Sequence, residues 1–359
     1  MRIRVFRSAL VVLLASRSLV AQNTGSATID PLARSSIIDS LAAQLRRHYV
    51  RPAVAESLVA GLRELNTSGA FARAGTPETF AATITAAMHR IVRDDAHLTV
   101  RFTPPEPKPV ASAVAAAPIE ERQRARAAFV RDAREESFGI PEVRTLPGNV
   151  GYVRVGEFLY QTMMGTEPFS RPPIVAAMQL VAERDALILD LRENRGGHTA
   201  VPSLILSYLF DRPTPLGSSR ARDGSVSYGS TFDVVGPKFG GTKPLFVLTS
   251  DSTFSAGEGI ASALRAAHRA RIVGARTRGG ASSGDFYAIG FGLRAFIPDE
   301  QHFDANGASL ESIGVTPDVA VSPSKAFDLA YKLALDTLAK LEPDAARRAK
   351  LDTLARRPL

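Results

Sequence analysis

The chain has 359 residues, of which 45% are hydrophobic and 22% are charged, a composition typical of globular proteins. It contains no cysteine, so disulfides, thiolate catalysis, cysteine-built zinc sites and a lipidated N-terminal cysteine are excluded. The formal net charge is +8, but the basic residues are spread along the chain and form no dense run. Because phosphate binding requires clustered positive charge, we interpret them as a solvated surface and expect no nucleic-acid partner.

Residues 1–22 are predicted to be a secretory signal peptide. The basic stretch "MRIRVFR" is followed by the apolar run "SALVVLLA" and by small residues near Ala21, which is the order of a signal with its cleavage site. The alternative, a buried N-terminal element, fits the early arginines poorly. The apolar run is too short to cross a bilayer, and no later segment reaches the ~18 apolar residues that a spanning helix needs. We therefore expect an exported protein, periplasmic or secreted, without stable membrane insertion after signal cleavage.

Residues 30–102 are predicted to form a small helical bundle, because apolar residues recur in it at spacings of three and four. Ser36 or Asp39 is expected to cap the first helix. The second helix is expected to begin at Pro52 and the third at Thr76, which is followed by proline and glutamate.

After the bundle, the sequence indicates a linker and then an α/β core. The stretch "DDAHLTVRF" has a period of two, which predicts a strand. Residues 103–140 are rich in proline and alanine and then in charge, which predicts a linker followed by a helix. In residues 141–335 apolar strands alternate with amphipathic helices, as in a mixed, mostly parallel sheet with flanking helices. Residues 336–359 are predicted to be a C-terminal helical tail, and residues 326–356 are interpreted as surface helices.

Two junctions between a strand and a loop carry the candidate catalytic groups. In "LILDLRENRGGHT" an apolar strand leads to Gly196 and Gly197, whose backbone N–H groups can approach a bound group closely. In "FVLTSDSTFSAGE" a strand leads to Ser255 at the start of a helix, beside free backbone amides and the positive end of the helix dipole. Ser255 is therefore a candidate nucleophile. The N–H groups of Ala256 and of Gly196 or Gly197 are a candidate oxyanion hole.

Each of these features also has a purely structural interpretation that spacing does not exclude. Ser255 and Glu258 have the spacing of a capping box, and a glycine pair after a strand also forms a simple turn. His97, in "DDAHL", is either a general base or a histidine with a structural hydrogen bond. His198 follows the glycine pair and is a candidate cleft residue. The histidines show no metal-ligand spacing such as HExxH, so we predict no metal site.

Four motifs, in this order and spacing, resemble the tail-specific, or C-terminal processing, family of serine peptidases. They are "DDAHLTV", "LILDLRENRGG", "TFSAGEGIASAL" with "RIVGARTRGGAS", and "ESIGVTPDVAV". The chain is most similar to the branch related to tricorn core protease and the interphotoreceptor retinoid-binding protein repeats. This resemblance implies a crotonase-like α/β core preceded by a helical N-terminal domain, and it implies that Ser255 is the nucleophile.

The chain departs in two ways from the better-known members of that family. They use a serine–lysine dyad, but Gly280 occupies the lysine position here, and the nearby Arg278 stays protonated and is a poor base. Too few residues separate "HLTVRF" from "VGYVRV" to hold the PDZ domain that the family inserts there. The tricorn-like branch uses a histidine and a glutamate instead of lysine, and His97 and Glu311 match them. That branch has a serine before the histidine, whereas this chain has Ala96, and either aspartate before it is a candidate replacement.

Together these features predict an exported serine peptidase that cleaves polypeptides through an acyl-enzyme. Ser255 is the predicted nucleophile, His97 the base and then the acid, and Glu311 the orienting carboxylate, and no cofactor is expected. The alternative is a non-catalytic binding module for hydrophobic, retinoid- or lipid-like ligands on the same fold. A crotonase-type acyl-CoA enzyme also shares the fold, but the signal peptide argues against it because acyl-CoA chemistry is usually cytoplasmic.

Overall fold

The computed structural model describes residues 29–103, 118–158, 171–197 and 200–356. The predicted signal peptide, most of the linker, and His198 lie outside the described residues. The described helices are α1 (Pro31–His48), α2 (Pro52–Thr67), α3 (Pro77–Ile91), α4 (Ile119–Glu135), α5 (Arg171–Leu180), α6 (Ala200–Ser207), α7 (Ala256–Ala266), α8 (Pro323–Leu341) and α9 (Ala345–Ala355). The described strands are β1 (Thr99–Phe102), β2 (Glu142–Leu146), β3 (Val150–Arg154), β4 (Ala186–Asp190), β5 (Pro215–Ala221), β6 (Val226–Ser230), β7 (Leu245–Thr249), β8 (Arg271–Gly274), β9 (Ser282–Gly290), β10 (Leu293–Phe303) and β11 (Val319–Ala320).

The three N-terminal helices begin at residues that supply a cap or a proline. Helix α2 begins at Pro52 and α3 follows the cap Thr76, as predicted. The prediction that Ser36 or Asp39 caps α1 is wrong. The helix begins five residues earlier than Ser36, where Asp30 accepts a hydrogen bond from the backbone N–H three residues on (2.8 Å).

The helical bundle shares its core with a five-stranded sheet. In that sheet β1 and β5 pair antiparallel with β10, β6 extends β5, and β9 forms a hairpin with β10. Leu41, Leu58 and Ile84 of the helices belong to one buried cluster with Leu293 and Ile297 of β10. The N-terminal segment is therefore joined to a strand that lies almost two hundred residues later in the chain.

The second sheet has the order β11-β8-β7-β4-β3-β2, and only β2 runs antiparallel to its neighbour. Strands β4 and β7 are buried along their whole length, as a parallel sheet covered on both faces requires. Leu187 and Leu189 pack with α5, α6 and α7, and Ile188 packs with α8 on the opposite face. The structure thus confirms a mixed, mostly parallel sheet with flanking helices.

Helix α8 belongs to this core, although the sequence predicts a boundary at 335/336 and a tail of surface helices. The helix is continuous across that boundary, and Ala326, Ala330, Ala334 and Leu335 are fully buried against the sheet. Small side chains at intervals of four lie on one face of a helix and allow its backbone to approach the strands closely. None of the described helices combines the length and apolar character that crossing a bilayer would require.

Candidate active site

Ser255 lies at the turn between a buried strand and a helix. Strand β7 ends at Thr249, and α7 begins directly after the serine. The backbone of Ser255 has φ 53° and ψ −122°, a positive-φ conformation that non-glycine residues rarely adopt. A residue that only caps a helix has extended backbone angles, so capping does not explain a strain of about 1–3 kcal/mol. A strained serine between a strand and a helix is instead the arrangement that exposes the hydroxyl of a nucleophile.

Glu258 holds this turn in place from inside the protein. Its side chain is fully buried, and Oε2 accepts hydrogen bonds from the backbone N–H groups of Ser255 (2.9 Å) and Gly280 (2.7 Å). Oε1 accepts from the N–H of Gly279 (2.7 Å) and from the hydroxyl of Thr277 (2.5 Å). Burial raises the pKa of Glu258 above its ordinary value, and the four hydrogen bonds oppose that rise because they favour the ionised form. Glu258 thereby ties the loop that carries Gly280 to the serine turn.

The two glycines predicted for the oxyanion hole differ in whether the backbone N–H group already has a hydrogen-bond acceptor. Gly196 approaches the serine turn so closely that an added Cβ would lie 2.8 Å from Cβ of Ser255 and 3.2 Å from the backbone N of Ala256. The N–H of Gly196 donates to Oδ1 of Asn194 (2.8 Å), so it is already used. Among the described residues, no hydrogen bond engages the N–H of Gly197 or of Ala256. These two N–H groups are therefore the available donors of the predicted set.

His97 and Glu311 are far apart in sequence and face each other in the interior. His97 precedes β1 and Glu311 follows β10, and the antiparallel pairing of these strands brings the two segments together. Nδ1 of His97 lies 3.9 Å from Oε1 of Glu311, and the side chains are only 6% and 9% exposed. Oε2 of Glu311 accepts hydrogen bonds from the N–H of Ala281 and the hydroxyl of Ser282, both at 2.8 Å. Within the described part of the chain, Oε1 and both ring nitrogens of His97 have no hydrogen-bond partner.

The two aspartates before Ala96 have different environments. Asp94 is exposed, whereas Asp95 is buried. Oδ1 of Asp95 accepts the backbone N–H of His97 (3.0 Å), and Oδ2 accepts the hydroxyl of Tyr49 (2.8 Å). Burial, followed by the nearby glutamate carboxylate, raises the pKa of Asp95. Asp95 therefore anchors the main chain of His97 and does not bond to its ring.

Two rings fill the space beside Gly280, where the dyad enzymes have their lysine. A Cβ added at Gly280 would lie 2.6 Å from Cε1 of His97 and 2.2 Å from Cε2 of Phe254. The rings of His97 and Phe254 contact each other, with centroids 4.5 Å apart. Phe254 directly precedes Ser255, and the N–H groups of Ser255 and Gly280 share one carboxylate oxygen as acceptor. The histidine therefore lies beside the serine turn, without a hydrogen bond from its ring to the serine hydroxyl.

A cavity of about 330 Å³ lies beside the serine, and its lining includes Ser255, Ala256, Glu300 and His302. Nε2 of His302 is 2.9 Å from the hydroxyl of Ser283, which donates to Glu300 (3.1 Å). Burial lowers the pKa of His302. Spacing in the sequence predicted no role for His302. The available signal was the period of two along β10, which places residues 300 and 302 on one face of the strand.

Size alone does not identify this cavity. A larger groove of about 810 Å³ is lined by Arg265 and Asp318 among others, but not by Ser255, whereas His97 and Glu311 line neither cavity.

The model of peptidase family S41 matches residues 149–321. Just under half of the chain is therefore similar to peptidase family S41. This confirms the family that the four motifs indicate. The matched segment contains the glycine pair, Ser255, Gly280 and Glu311, whereas His97 precedes it.

Two relatives show the extent of the similarity in sequence. Tricorn protease homolog 2 of Streptomyces coelicolor is 32% identical over 173 residues, which cover 45% of this chain and 14% of the relative. The carboxy-terminal-processing protease of Bartonella bacilliformis is 25% identical over 177 residues, which cover 48% of this chain and 39% of the relative. The chain thus spans less than half the length of either relative.

Two solved structures share the fold of this chain over most of its length. A lipoprotein from Streptococcus agalactiae has a TM-score of 0.54 at 13% identity, with 85% of this chain and 96% of that chain covered. A candidate peptidase from Parabacteroides merdae has a TM-score of 0.53 at 15% identity, with 80% and 90% covered. At these identities the likeness concerns the fold alone.

Proposed function

We propose that the protein is an exported serine peptidase that cleaves polypeptides through an acyl-enzyme intermediate. The observation that carries the proposal is the strained turn at Ser255, with the His97–Glu311 pair alongside and with no partner for the N–H of Ala256 among the described residues. The similarity of residues 149–321 to peptidase family S41 supports the reaction class. A carrier of hydrophobic ligands on the same fold would have no use for a strained serine or for a buried histidine beside a carboxylate.

In the acylation step, the hydroxyl of Ser255 attacks the scissile carbonyl and His97 takes the serine proton as general base. The carboxylate of Glu311 stabilises the imidazolium that forms. The N–H groups of Ala256 and Gly197 donate to the oxyanion, and the helix dipole of α7 adds to their effect. His97 then protonates the leaving amine, and water hydrolyses the acyl-enzyme with the same histidine as base.

One distance must shorten for this chemistry. Nδ1 of His97 and Oε1 of Glu311 are 3.9 Å apart, and a charge-assisted hydrogen bond needs about 2.8 Å. Catalytic hydrogen bonds of this kind are often long before substrate binds and tighten in the substrate complex. Since Oε2 of Glu311 is held by two donors and the backbone N–H of His97 by Asp95, a rotation of the imidazole side chain is the simpler way to close the gap.

We also propose that the parallel sheet with its flanking helices is a crotonase-like core without a PDZ insert. An experimental structure with a PDZ fold between residues 103 and 140 would contradict this. Export is proposed from the N-terminal segment. Sequencing the N-terminus of the protein from an export-competent host should give a mature chain that starts near residue 22, and an intact N-terminus in the cytoplasm would contradict export.

The catalytic proposal is tested by covalent labelling of the purified protein with a fluorophosphonate, which reacts with activated serines. We expect labelling of the wild type and hydrolysis of casein or a peptide substrate. Ser255→Ala should abolish both. Ser252→Ala is the matched control, because Ser252 is an exposed serine in the same loop and should leave labelling intact.

The same experiment separates peptidase from carrier. Absence of labelling in the wild type, or labelling that survives Ser255→Ala, would refute the peptidase. Co-purified lipid in a protein that turns over no peptide would point to the carrier.

A further inference from the structure

Asp95, His97 and Glu311 each offer a ligand atom to one small volume. One carboxylate or imidazole atom from each of the three lies within 4.8 Å of the others. The three residues come from two distant segments, so no ligand spacing in the sequence reveals them. An imidazole with two carboxylates is a donor set that Zn²⁺ accepts, with water as the fourth ligand.

Several polar atoms of this cluster are buried without a hydrogen-bond partner in the described part of the chain. Oε1 of Glu311 and both ring nitrogens of His97 are buried without a hydrogen bond in the described part of the chain. Leaving such groups buried and unpaired is unfavourable, and an unobserved ion is one of the recognised explanations. The side chains of His97, Glu311 and Asp95 are 6%, 9% and 1% exposed, respectively.

The distance between the two central atoms also fits a metal better than a hydrogen bond. Two ligands of a tetrahedral Zn²⁺ are about 3.4 Å apart when each bond is about 2.1 Å. The observed 3.9 Å between Nδ1 of His97 and Oε1 of Glu311 is about half an ångström from that value. It is about 1 Å from a hydrogen bond of 2.8–2.9 Å.

Neighbouring groups orient the candidate ligands by hydrogen bonds, as residues around the ligands of known metal sites do. Oε2 of Glu311 is fixed by Ala281 and Ser282, and Oδ2 of Asp95 by the hydroxyl of Tyr49. Such partners orient ligands and are usual around bound metals. Two buried carboxylates beside one histidine also place negative charge where a divalent cation would neutralise it.

We propose that Asp95, His97 and Glu311 form an inhibitory site for a zinc-like divalent cation. A metal on Nδ1 leaves the proton of the neutral imidazole on Nε2, and the ring can then accept no proton from Ser255. Metal and substrate turnover therefore exclude each other. Metal binding stands independently of the proposed peptidase activity, whereas inhibition rests on it.

The binding test uses untagged Ser255→Ala protein stripped with a chelator, so that no step depends on catalysis. Titration with Co²⁺ should give the visible absorption of tetrahedral coordination, and Zn²⁺ should abolish it at one equivalent. Asp95→Asn should weaken Co²⁺ binding more than about 10-fold, because loss of a residue that merely orients a metal ligand already lowers metal affinity about 10-fold. Asp94→Asn is the matched control, because Asp94 is the exposed neighbour and should leave the spectrum unchanged. If Asp95→Asn does not fold, Glu311→Gln replaces it.

Inhibition is then measured on wild-type protein. Zn²⁺ should slow fluorophosphonate labelling, a chelator should restore it, and Mg²⁺, which prefers six oxygen ligands, should have no effect. Absence of Co²⁺ absorption, or equal binding by Asp95→Asn, would overturn the metal site even if labelling succeeds. A Co²⁺ spectrum in a protein that never labels would support the metal site and refute the peptidase.

Discussion

Gly280→Ala should damage both stability and catalysis, because the methyl group enters space that two rings already fill. The added Cβ would lie 2.2 Å and 2.6 Å from Cε2 and Cζ of Phe254 and 2.6 Å from Cε1 of His97. Ordinary carbon contacts are about 3.5–4.0 Å, so the rings must move by about 1 Å or more. The backbone adds no strain, since Gly280 is not among the residues with positive φ.

The magnitude follows from these contacts. Overpacking of a well-packed interior costs about 1–3 kcal/mol, so urea unfolding should give a free energy of unfolding lower by that amount. A displacement of about 1 Å at a catalytic group costs about 100-fold in rate, so fluorophosphonate labelling should slow by that factor. Gly280→Lys should be at least as inactive, because its side chain would meet the same two rings and could not recreate a dyad.

Gly75→Ala is the control, because nothing lies within 4 Å of the Cβ it would add and its φ is not positive. This variant should keep the labelling rate and unfold at the same or a slightly higher urea concentration. If Gly280→Ala matched it in both measurements, the packing of His97 and Phe254 against Gly280 would be refuted, and with it the placement of the base.

Three further substitutions test the remaining parts of the site. Glu311→Gln should lower the labelling rate by about 100- to 10,000-fold with little change in the urea midpoint, since an amide oxygen can still accept the two bonds at Oε2; an unchanged rate would remove Glu311 from the mechanism. Glu258→Gln should lower the free energy of unfolding by about 2–5 kcal/mol, because four donors bind the carboxylate and the glutamine amide would offer them only one acceptor oxygen. A urea midpoint equal to that of the wild type would contradict this network. Burial lowers the pKa of His302 in the folded protein. As the pH falls below about 6.5, this histidine is therefore protonated in the unfolded chain before it is protonated in the folded protein, and the free energy of unfolding decreases. Urea curves of His302→Gln between pH 7 and 5 should show a shallower decline than those of the wild type, and an equal slope would count against this origin.

Local patterns predicted much of the fold. Apolar strands alternating with amphipathic helices gave the buried parallel strands, and Thr76 and Pro52 marked helix starts correctly. The prediction that Ser36 or Asp39 caps α1 was wrong because residues of these types also occur inside helices. The start of α1 is marked instead by Asp30 followed by a proline. The boundary at 335/336 failed because nothing local in α8 distinguishes a helix on the sheet from one on the surface.

The candidate site could not be predicted from the spacing of residues in the sequence alone. Ser255 has the sequence of a cap, and only its backbone angles separate the two interpretations. His97 and Glu311 meet through the pairing of β1 with β10, which no local pattern reveals, and a family resemblance was needed to connect them. The use of the Gly196 N–H by Asn194 likewise depends on three-dimensional geometry.

The pairing of β1 with β10 also determines when, during synthesis, the proposed active site can be completed. During synthesis, Ser255 and its helix are made before the strand that receives the His97 segment. A nascent chain, or a fragment that stops before residue 293, has the proposed nucleophile and the glycine turn, but it lacks the strand that holds the proposed base beside them. Proteolytic competence would thus be acquired in the last stage of translation. Truncated products should be inert, and this can be checked by labelling ribosome-stalled chains of increasing length.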